Sequence, residues 1–289
     1  MKVGDAGTLF SLDELAELRR TSTARGVRLV VHAWAAIAAA MALFAAWPSP
    51  VTFVVAFLVI GGRQMGLAVL MHDAAHWLLF RRQGANTRLG QWLCAYPLGA
   101  DVAEYRRTHQ RHHRWTQQAD DPDRHLVASL PMTRARLAGL VLQDVSGWTA
   151  LRALARRRSW RRVRGPLISH AVLGALLALA GHWELYVLLW LLPLLTWYPL
   201  AVRLRSLSEH GMTSADEDVL RNTRSTGAGV VARALLAPYW VSYHVEHHLM
   251  TFVPCWKLGA VRQLLLRSGD AARMELAPNY LDVVRRITS

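Results

Sequence analysis

Long apolar runs constrain the fold of this chain more than any other feature. The first run contains 19 residues and no charged side chain, which is enough to cross about 30 Å of hydrocarbon as a helix. The second carries one arginine, Arg63, and the fourth contains Pro193 and Pro199, which predict kinks. The pattern predicts four membrane spans, approximately residues 29–47, 51–71, 166–181 and 185–202.

The composition is apolar and basic at the same time. Hydrophobic residues make up 53% of the chain and charged residues 19%, against about 25% charged residues in ordinary soluble domains. The 34 basic and 20 acidic residues give a formal net charge of +14. No zinc-finger, RNA-binding or helix-turn-helix signature accompanies the arginines, so a nucleic-acid partner is not expected. The remaining class is a membrane protein with cationic inner loops.

Short linkers join the runs in pairs and predict two helical hairpins. Arginines flank the opposite ends of the runs, and positive loops stay on the cytoplasmic side. Both termini and residues 72–165 and 203–289 are therefore expected in the cytoplasm, as parts of one domain covering residues 1–289. The apolar stretch 86–100 is expected to be a cap or interfacial helix. The flanking arginines are Arg19, Arg20, Arg25, Arg81, Arg82, Arg156, Arg157, Arg158, Arg161, Arg162, Arg164, Arg203 and Arg205.

Eight of the 13 histidines fall in three clusters outside the apolar runs. The clusters read HDAAH (72–76), HQRHH (109–113) and HVEHH (244–248). An HxxHH pattern would arise by chance roughly 0.03 times in a chain of this composition, yet it occurs twice. On a helix, positions i, i+3 and i+4 share one face, and imidazole binds iron, zinc, copper and nickel. Eight ligands are too many for one ion and about right for two.

Together with their surroundings, the clusters resemble the three histidine boxes of the membrane fatty acid desaturase superfamily. The surrounding segments are HRWTQQADDPD after the second cluster, and SEHG, NTRST and PYWVSYHVEHHL around the third. The resemblance covers about residues 50–265. It implies four transmembrane helices and a helical cytoplasmic cap that carries a non-haem di-iron centre. The iron ligands implied by position are His72, His76, His109, His112, His113, His244, His247 and His248, with His210 of SEHG as a ninth.

Other polar residues near the clusters are expected to support the ligands. Ligating imidazoles usually donate their second N–H to a carboxylate or a carbonyl. The candidate acceptors are Asp73, Asp120, Asp121, Asp123 and Glu246. By the resemblance, Asn222 and Arg224 also support the site. The histidines outside the clusters, expected to be structural or interfacial, are His32, His125, His170 and His182.

The resemblance implies an oxidoreductase of a bacterial inner membrane that uses O₂ and two electrons. It would introduce a double bond into a fatty acyl chain or a related lipid, with two iron ions and a separate electron donor such as a ferredoxin. A hydroxylase or ketolase of a lipid or carotenoid on the same fold is the nearest alternative. A metal-binding transporter is a third, although it predicts polar residues inside the spans, whereas the histidine clusters lie outside them.

Overall fold

The structure, a computed structural model, describes residues 10–156 and 159–288, so Arg157 and Arg158 of the expected flanking arginines lie outside the described residues. Helices make up 71% of it. The elements are α1 Leu12–Arg19, α2 Thr23–Ala46, α3 Pro50–Ala75, α4 Gln83–Gly90, α5 Val102–Trp115, α6 Arg134–Val145, α7 Trp148–Ala155, α8 Trp160–Leu179, α9 Trp183–Leu185, α10 Leu192–Leu195, α11 Trp197–His210, β1 Ser225–Thr226, α12 Val230–Leu235, α13 His244–Leu249, α14 Leu258–Ser268, β2 Leu276–Ala277 and α15 Tyr280–Ile287.

Short π and 3-10 segments complete the described chain. The stretch 86–100, expected as a cap or interfacial helix, forms the end of α4, a π segment and a 3-10 turn, none long enough to span a membrane. The π segments are Gln91–Ala95 and Tyr186–Leu191, and the 3-10 turns are Tyr96–Leu98, Arg124–Leu126, Cys255–Lys257 and Asp270–Arg273.

The predicted all-α architecture with four candidate spans is confirmed. Four helical stretches are long and apolar enough to cross a membrane, and each overlaps one of the predicted runs. Helix α3 passes Arg63 without a break and continues to Ala75, so His72, the first residue after the apolar run, lies on the same helix. The four stretches are Thr23–Ala46, Pro50–Ala75, Arg162–Leu179 and Trp183–His210.

The fourth span is irregular, as its two prolines predict. It passes from α9 through a π segment to α10, and a break at Thr196 separates α10 from α11. Pro199 has no N–H to donate to the carbonyl of Leu195, and its ring clashes with that carbonyl in a regular helix. The break therefore lies between the prolines. Beyond it, α11 runs without interruption to His210.

Three glycines on α3 let neighbouring elements approach its backbone. A Cβ at Gly62 would collide with the carbonyl oxygen of Ala234, and one at Gly66 would meet the ring of Tyr239. Between them, the Arg63 guanidinium donates to the Ala234 oxygen at 2.9 Å and lies over the Tyr239 ring. A single arginine within an apolar helix is thus paired with the α12 segment. The same contacts hold residues 234–239 against α3.

Both ends of the described chain brace the elements that bear histidines. In α1, Ser11 and Glu14 form a capping box, with the Glu14 amide donating to Ser11 Oγ at 3.2 Å. Leu15 and Leu18 of α1 are buried in the same cluster as the residues around α13 and α14. At the other end, α15 packs against α11, and the parallel β1–β2 bridge ties residues 225–226 to 276–277.

Candidate metal centre

Four elements position the nine histidines that the sequence singles out. His72 lies in the last turn of α3, and His76 follows as its C-cap residue. Helix α5 begins at an Asp101 cap, whose side chain accepts from the Glu104 amide at 2.8 Å, and it carries the second cluster. His210 ends α11, and the short helix α13 carries the third cluster. Each cluster presents its imidazoles to the same region of the protein, as the helical spacing predicts.

The nine imidazoles form two groups, and within each group the potential ligand nitrogens lie within 4.8 Å of one another. His112 belongs to the second group although its neighbours on α5 belong to the first. Each group therefore combines side chains from different helices. The first group is His72, His76, His109, His113 and His247, and the second is His112, His210, His244 and His248.

Distances between nitrogens test whether a metal ion fits. His247 Nε2 lies 2.9 Å from His72 Nε2 and 3.0 Å from His113 Nε2. In the second group, His244 Nε2 lies 2.9 Å from His210 Nε2. Two nitrogens bound at a right angle, each about 2.1 Å from one ion, would be about 3.0 Å apart, whereas a tetrahedral angle gives about 3.4 Å. The spacing fits ions with more than four ligands.

The remaining imidazole nitrogens also indicate a metal site. His112 Nδ1 is 2.9 Å from Asp121 Oδ1, which leaves His112 Nε2 for a ligand. His76 Nε2 and His248 Nε2 are buried and have no hydrogen-bond partner among the described residues. Buried polar atoms are normally paired, so these orphans mark a missing partner. Five imidazoles exceed the four ligands of a structural zinc site. An all-nitrogen donor set suits iron better than magnesium or calcium.

Burial prepares the imidazoles for metal binding. Desolvation lowers the pKa of His109, His113 and His247 well below the ordinary value, and nearby histidines lower it further. The pKa values of His244 and His248 are lowered by the same two causes. At pH 7 these side chains are therefore neutral, which is the form that coordinates metal.

Two of the predicted carboxylates contact ligand histidines closely. Besides His112, Asp121 accepts hydrogen bonds from the backbone amides of Gln117 and Asp123, at 2.9 and 2.8 Å. Burial by itself would raise the pKa of Asp121, but these bonds and His112 lower it overall. Asp73 Oδ1 lies 3.5 Å from His72 Nδ1, and its other oxygen accepts from the Cys255 amide at 3.0 Å. Asp121 therefore orients His112, whereas Asp73 lies near His72 without a hydrogen bond to it, because His72 Nδ1 has no hydrogen-bond partner among the described residues.

The other carboxylates that were predicted to orient the histidines lie farther from them or pair with other residues. Asp123 Oδ2 lies 3.8 Å from His112 Nδ1. The expectation for Glu246 was wrong, because its carboxylate pairs with Ser225 and Arg262. Glu246 lies between His244 and His247 in sequence, and residues one or two positions apart do not share a helical face. Asp120 is exposed, and the described residues include no hydrogen bond from it to the histidines.

Asn222 and Arg224 brace the polypeptide around His210. The Arg224 amide donates to the Glu209 carbonyl at 2.7 Å, and its guanidinium donates to the Ser208 carbonyl at 3.3 Å. Asn222 donates to the Asp216 carbonyl at 3.3 Å and so closes the loop after α11. Both residues hold the end of α11 in place, and the backbone of Asn222 also interacts with the His210 imidazole.

Sequence reasoning missed two residues that contact the histidines, and an arginine that pairs with one of them. Glu209 Oε1 lies 3.8 Å from His244 Nδ1 and accepts from Arg205 Nη2 at 2.6 Å. Thr116 Oγ1 lies 3.4 Å from His248 Nδ1. The i,i+4 spacing of Arg205 and Glu209, next to His210, is a signal that could have identified the pair. Thr116 has no comparable local signal.

A cavity of about 250 Å³ adjoins the histidines. Five of the nine histidines line it: His72, His109, His112, His210 and His244. The rest of the wall is mixed. Apolar side chains of α3, α11 and the loop after α5 contribute to it, and they include Met65, Ala68, Val69, Leu126, Val127, Tyr198 and Val202. Polar and charged side chains also line it, namely Gln117, Asp121, Asp123, Arg124, Arg205, Ser206 and Glu209. The apolar part of this wall continues along α3 to His72, so it offers an apolar chain a surface beside the imidazoles.

Replacing Asp121 by asparagine should weaken metal binding at the second group. The change keeps the shape of the side chain but removes the charge that orients His112, and the loss of such a partner typically costs 10–100-fold in metal affinity. Metal titration of the purified protein would measure this loss. Asp120→Asn, at the neighbouring exposed position, is the matched control and should leave affinity unchanged. Equal losses in both variants would contradict the assignment.

Comparison with known proteins agrees with this geometry. The chain matches the family described as "Fatty acid desaturase" over residues 48–277. It is 25% identical to the dihydrorhizobitoxine desaturase of Bradyrhizobium elkanii over 244 residues, 76% of this chain and 69% of the relative. It is 28% identical to the beta-carotene ketolase of Paracoccus sp. strain PC1 over 213 residues, 69% of this chain and 74% of the relative.

A second beta-carotene ketolase, from Paracoccus sp. strain N81106, is 28% identical over 249 residues, which cover 84% of this chain and 91% of the relative. The names of these relatives support an oxidoreductase. The matched region contains the second to fourth candidate spans and all nine histidines. On that match, the chain belongs to the fatty acid desaturase family.

Proposed function

We propose that this protein is a membrane di-iron oxidoreductase that desaturates a fatty acyl chain or a related lipid. The convergence of nine buried or half-buried imidazoles in two groups carries the proposal. Each group would hold one iron ion. Bound iron would supply the oxidising chemistry, which uses O₂ and two electrons to remove hydrogen from an unactivated C–H bond.

The protein's own residues would orient the substrate and keep water out. Met65, Ala68 and His72 lie along one side of α3, and seven residues of helix extend about 10 Å. The apolar wall of the cavity thus leads directly to the histidines. On the other side, Glu209 and Arg205 hold His244, and Asp121 holds His112. The position of the chain along this wall would select the C–H bond that reacts.

Oxygen insertion is the second candidate reaction. Two relatives named beta-carotene ketolase support it, and one of them is matched over 91% of its length. The same cavity and the same metal groups would serve a ketolase, with a carotenoid ring instead of an acyl chain beside the histidines. The two candidates differ in their products.

Product analysis would decide between the two reactions. The purified protein, loaded with iron and supplied with O₂ and a reductant, would be incubated with a membrane lipid extract or with β-carotene. Mass spectrometry should show a lipid product lighter by two hydrogens. A carotenoid product that gains oxygen would establish the ketolase instead. Metal-loaded protein that consumes no O₂ with either substrate would overturn both.

We further propose that the histidines face the cytoplasm of a bacterial inner membrane and receive electrons from a separate acidic carrier. Helix α5 supports this proposal, because its histidines are on one side and Arg107, Arg111 and Arg114 are exposed on the other. The described ion pairs leave these three arginines without a carboxylate partner. A helix with side chains is about 10–12 Å across, so a carrier docked there would lie close to the metal groups.

Charge reversal on this face should slow electron delivery. The variant Arg107→Glu, Arg111→Glu, Arg114→Glu is expected to lower kcat/KM for an acidic donor about tenfold or more at low salt, because complementary charges accelerate encounter. The control variant Arg82→Glu, Arg88→Glu, Arg267→Glu lowers the net charge equally, from +14 to +8. Turnover with a small chemical reductant should stay normal in both. An equal effect of the two variants would place the donor elsewhere.

A further inference from the structure

An unusual apolar surface lies outside the four candidate spans. Five large side chains recur every third residue along α6 and α7, and each is 43–65% exposed. We name residues 134–155 the α6–α7 arm. The five side chains are Leu142, Val145, Trp148, Leu151 and Leu154.

Protein contacts do not explain this surface. Within the described residues, α6 packs on α11 through its opposite face, where Leu137 and Asp144 are buried. Helix α7 has eight residues, all of them exposed or half-buried, and it is too short to span a bilayer. A contiguous exposed apolar surface of this kind usually marks an interaction site.

Contacts with the fourth span place the arm at the level of the membrane. The backbone of Gly147, between the two helices, lies against Leu195, and α7 packs against α10. Asp144 is fully buried and accepts from Arg203 Nη2 at 2.9 Å. From Trp183 at the start of this span, about 20 residues of helix would cross the hydrocarbon and end near Arg203. Leu195 precedes Arg203 by eight residues, about 12 Å of helix, so the arm runs from Asp144 near the hydrocarbon boundary to Gly147 and Trp148 inside it.

The charges of the arm suit a lipid surface better than a protein core. Asp144 is its only acidic residue, and Arg203 pairs with it. Arg134, Arg136 and Arg152 are all exposed. Short helices with exposed leucine and tryptophan on one side and arginine on another bind the interface of anionic bilayers, with the apolar face about 5–10 Å deep.

We propose that the α6–α7 arm lies in the plane of the membrane as an interfacial anchor on the histidine side of the bilayer. Its apolar face occupies the boundary between headgroups and acyl chains of anionic lipid. Through Asp144 and Arg203 it holds α11, whose partly exposed Val202 lines the cavity. The cavity would then lie beside lipid. The membrane anchor is a separate proposal that does not require the proposed reaction.

Spin labelling at single cysteines tests the anchor without an activity assay. The native cysteines are buried, and burial raises the pKa of Cys94 to about 12, so neither should react readily with the label. Leu151→Cys reports the apolar face of α7, and Ala153→Cys, on its opposite side, is the matched control. Val172→Cys, exposed on α8, provides the reference for lipid. The protein would be reconstituted in phosphatidylcholine vesicles containing phosphatidylglycerol.

Collisional relaxation by O₂ and by a water-soluble nickel chelate gives the depth of each label. We expect the ratio of O₂ to nickel collisions at Leu151→Cys to approach that at Val172→Cys and to exceed that at Ala153→Cys about tenfold. Equal nickel access at positions 151 and 153 would overturn the anchor. If Val172→Cys also shows full nickel access, the membrane assignment of the span itself fails, which is a distinct outcome.

Discussion

Replacing His247 by alanine should abolish turnover and reduce the iron content of the purified protein. Its Nε2 lies 3.0 Å or less from the Nε2 atoms of both His72 and His113, so it is at the centre of the first group. Loss of a partner that only orients a ligand costs 10–100-fold, so loss of this ligand should cost more than about 100-fold in metal affinity. Iron analysis and O₂ consumption would measure both effects.

The control for this variant is a histidine outside both groups. His32 Nδ1 contacts the Tyr239 hydroxyl at 2.9 Å, and loss of one exposed hydrogen bond costs about 1 kcal/mol or less. His32→Ala should therefore keep iron and near-normal turnover. Full iron occupancy and turnover in His247→Ala would refute the metal assignment. An inactive His32→Ala variant would show that the division of the histidines into metal ligands and other histidines is wrong.

Filling the cavity should stop the reaction without removing metal. Ala68 precedes His72 by one helical turn, and its small side chain lines the cavity. Ala68→Phe would occupy much of the space of about 250 Å³ and displace an apolar chain from the histidines. We expect kcat/KM to fall about 100-fold, equivalent to about 2.7 kcal/mol, while iron content stays normal.

The matched control adds the same ring on a surface that faces away from the site. Val172 of α8 is 53% exposed, so Val172→Phe should have no effect on turnover. Overpacking at position 68 could cost about 1–3 kcal/mol of stability, which thermal unfolding of both variants would reveal. A smaller substitution, Ala68→Val, should give an intermediate loss. Unchanged kcat/KM in Ala68→Phe would exclude this cavity as the substrate site.

Local spacing was sufficient to predict much of the site. Positions i, i+3 and i+4 in the second and third clusters do lie on helices, and the four apolar runs do form long helices. The division of the ligands was not predictable in this way. His112 and His113 are adjacent in sequence, yet they belong to different groups. The division depends on how α3, α5, α11 and α13 pack together, which sequence periodicity does not contain.

Contacts between segments that are distant in the chain could not be predicted from the sequence either. Thr116 meets His248 across 132 residues, and nothing in the local pattern of either residue points to the other. The arm was missed for a different reason, because its apolar positions are divided between two helices and a turn at Gly147. In the sequence, apolar residues at every third position look like an ordinary amphipathic helix that packs on the protein. Only the structure shows that this apolar face is exposed among the described residues.

The two histidine groups also differ in when their members emerge during synthesis. Four of the five histidines in the first group have been translated by residue 113, whereas the second group has only His112 before residue 210. At about 5–20 residues per second, the ribosome needs roughly 5 to 20 s to cover that interval. The nascent chain thus presents an almost complete first group before its second hairpin exists. Under the proposed metal assignment, four of the five ligands of the first group would be available early, while the second group would have to wait until the last span has been made.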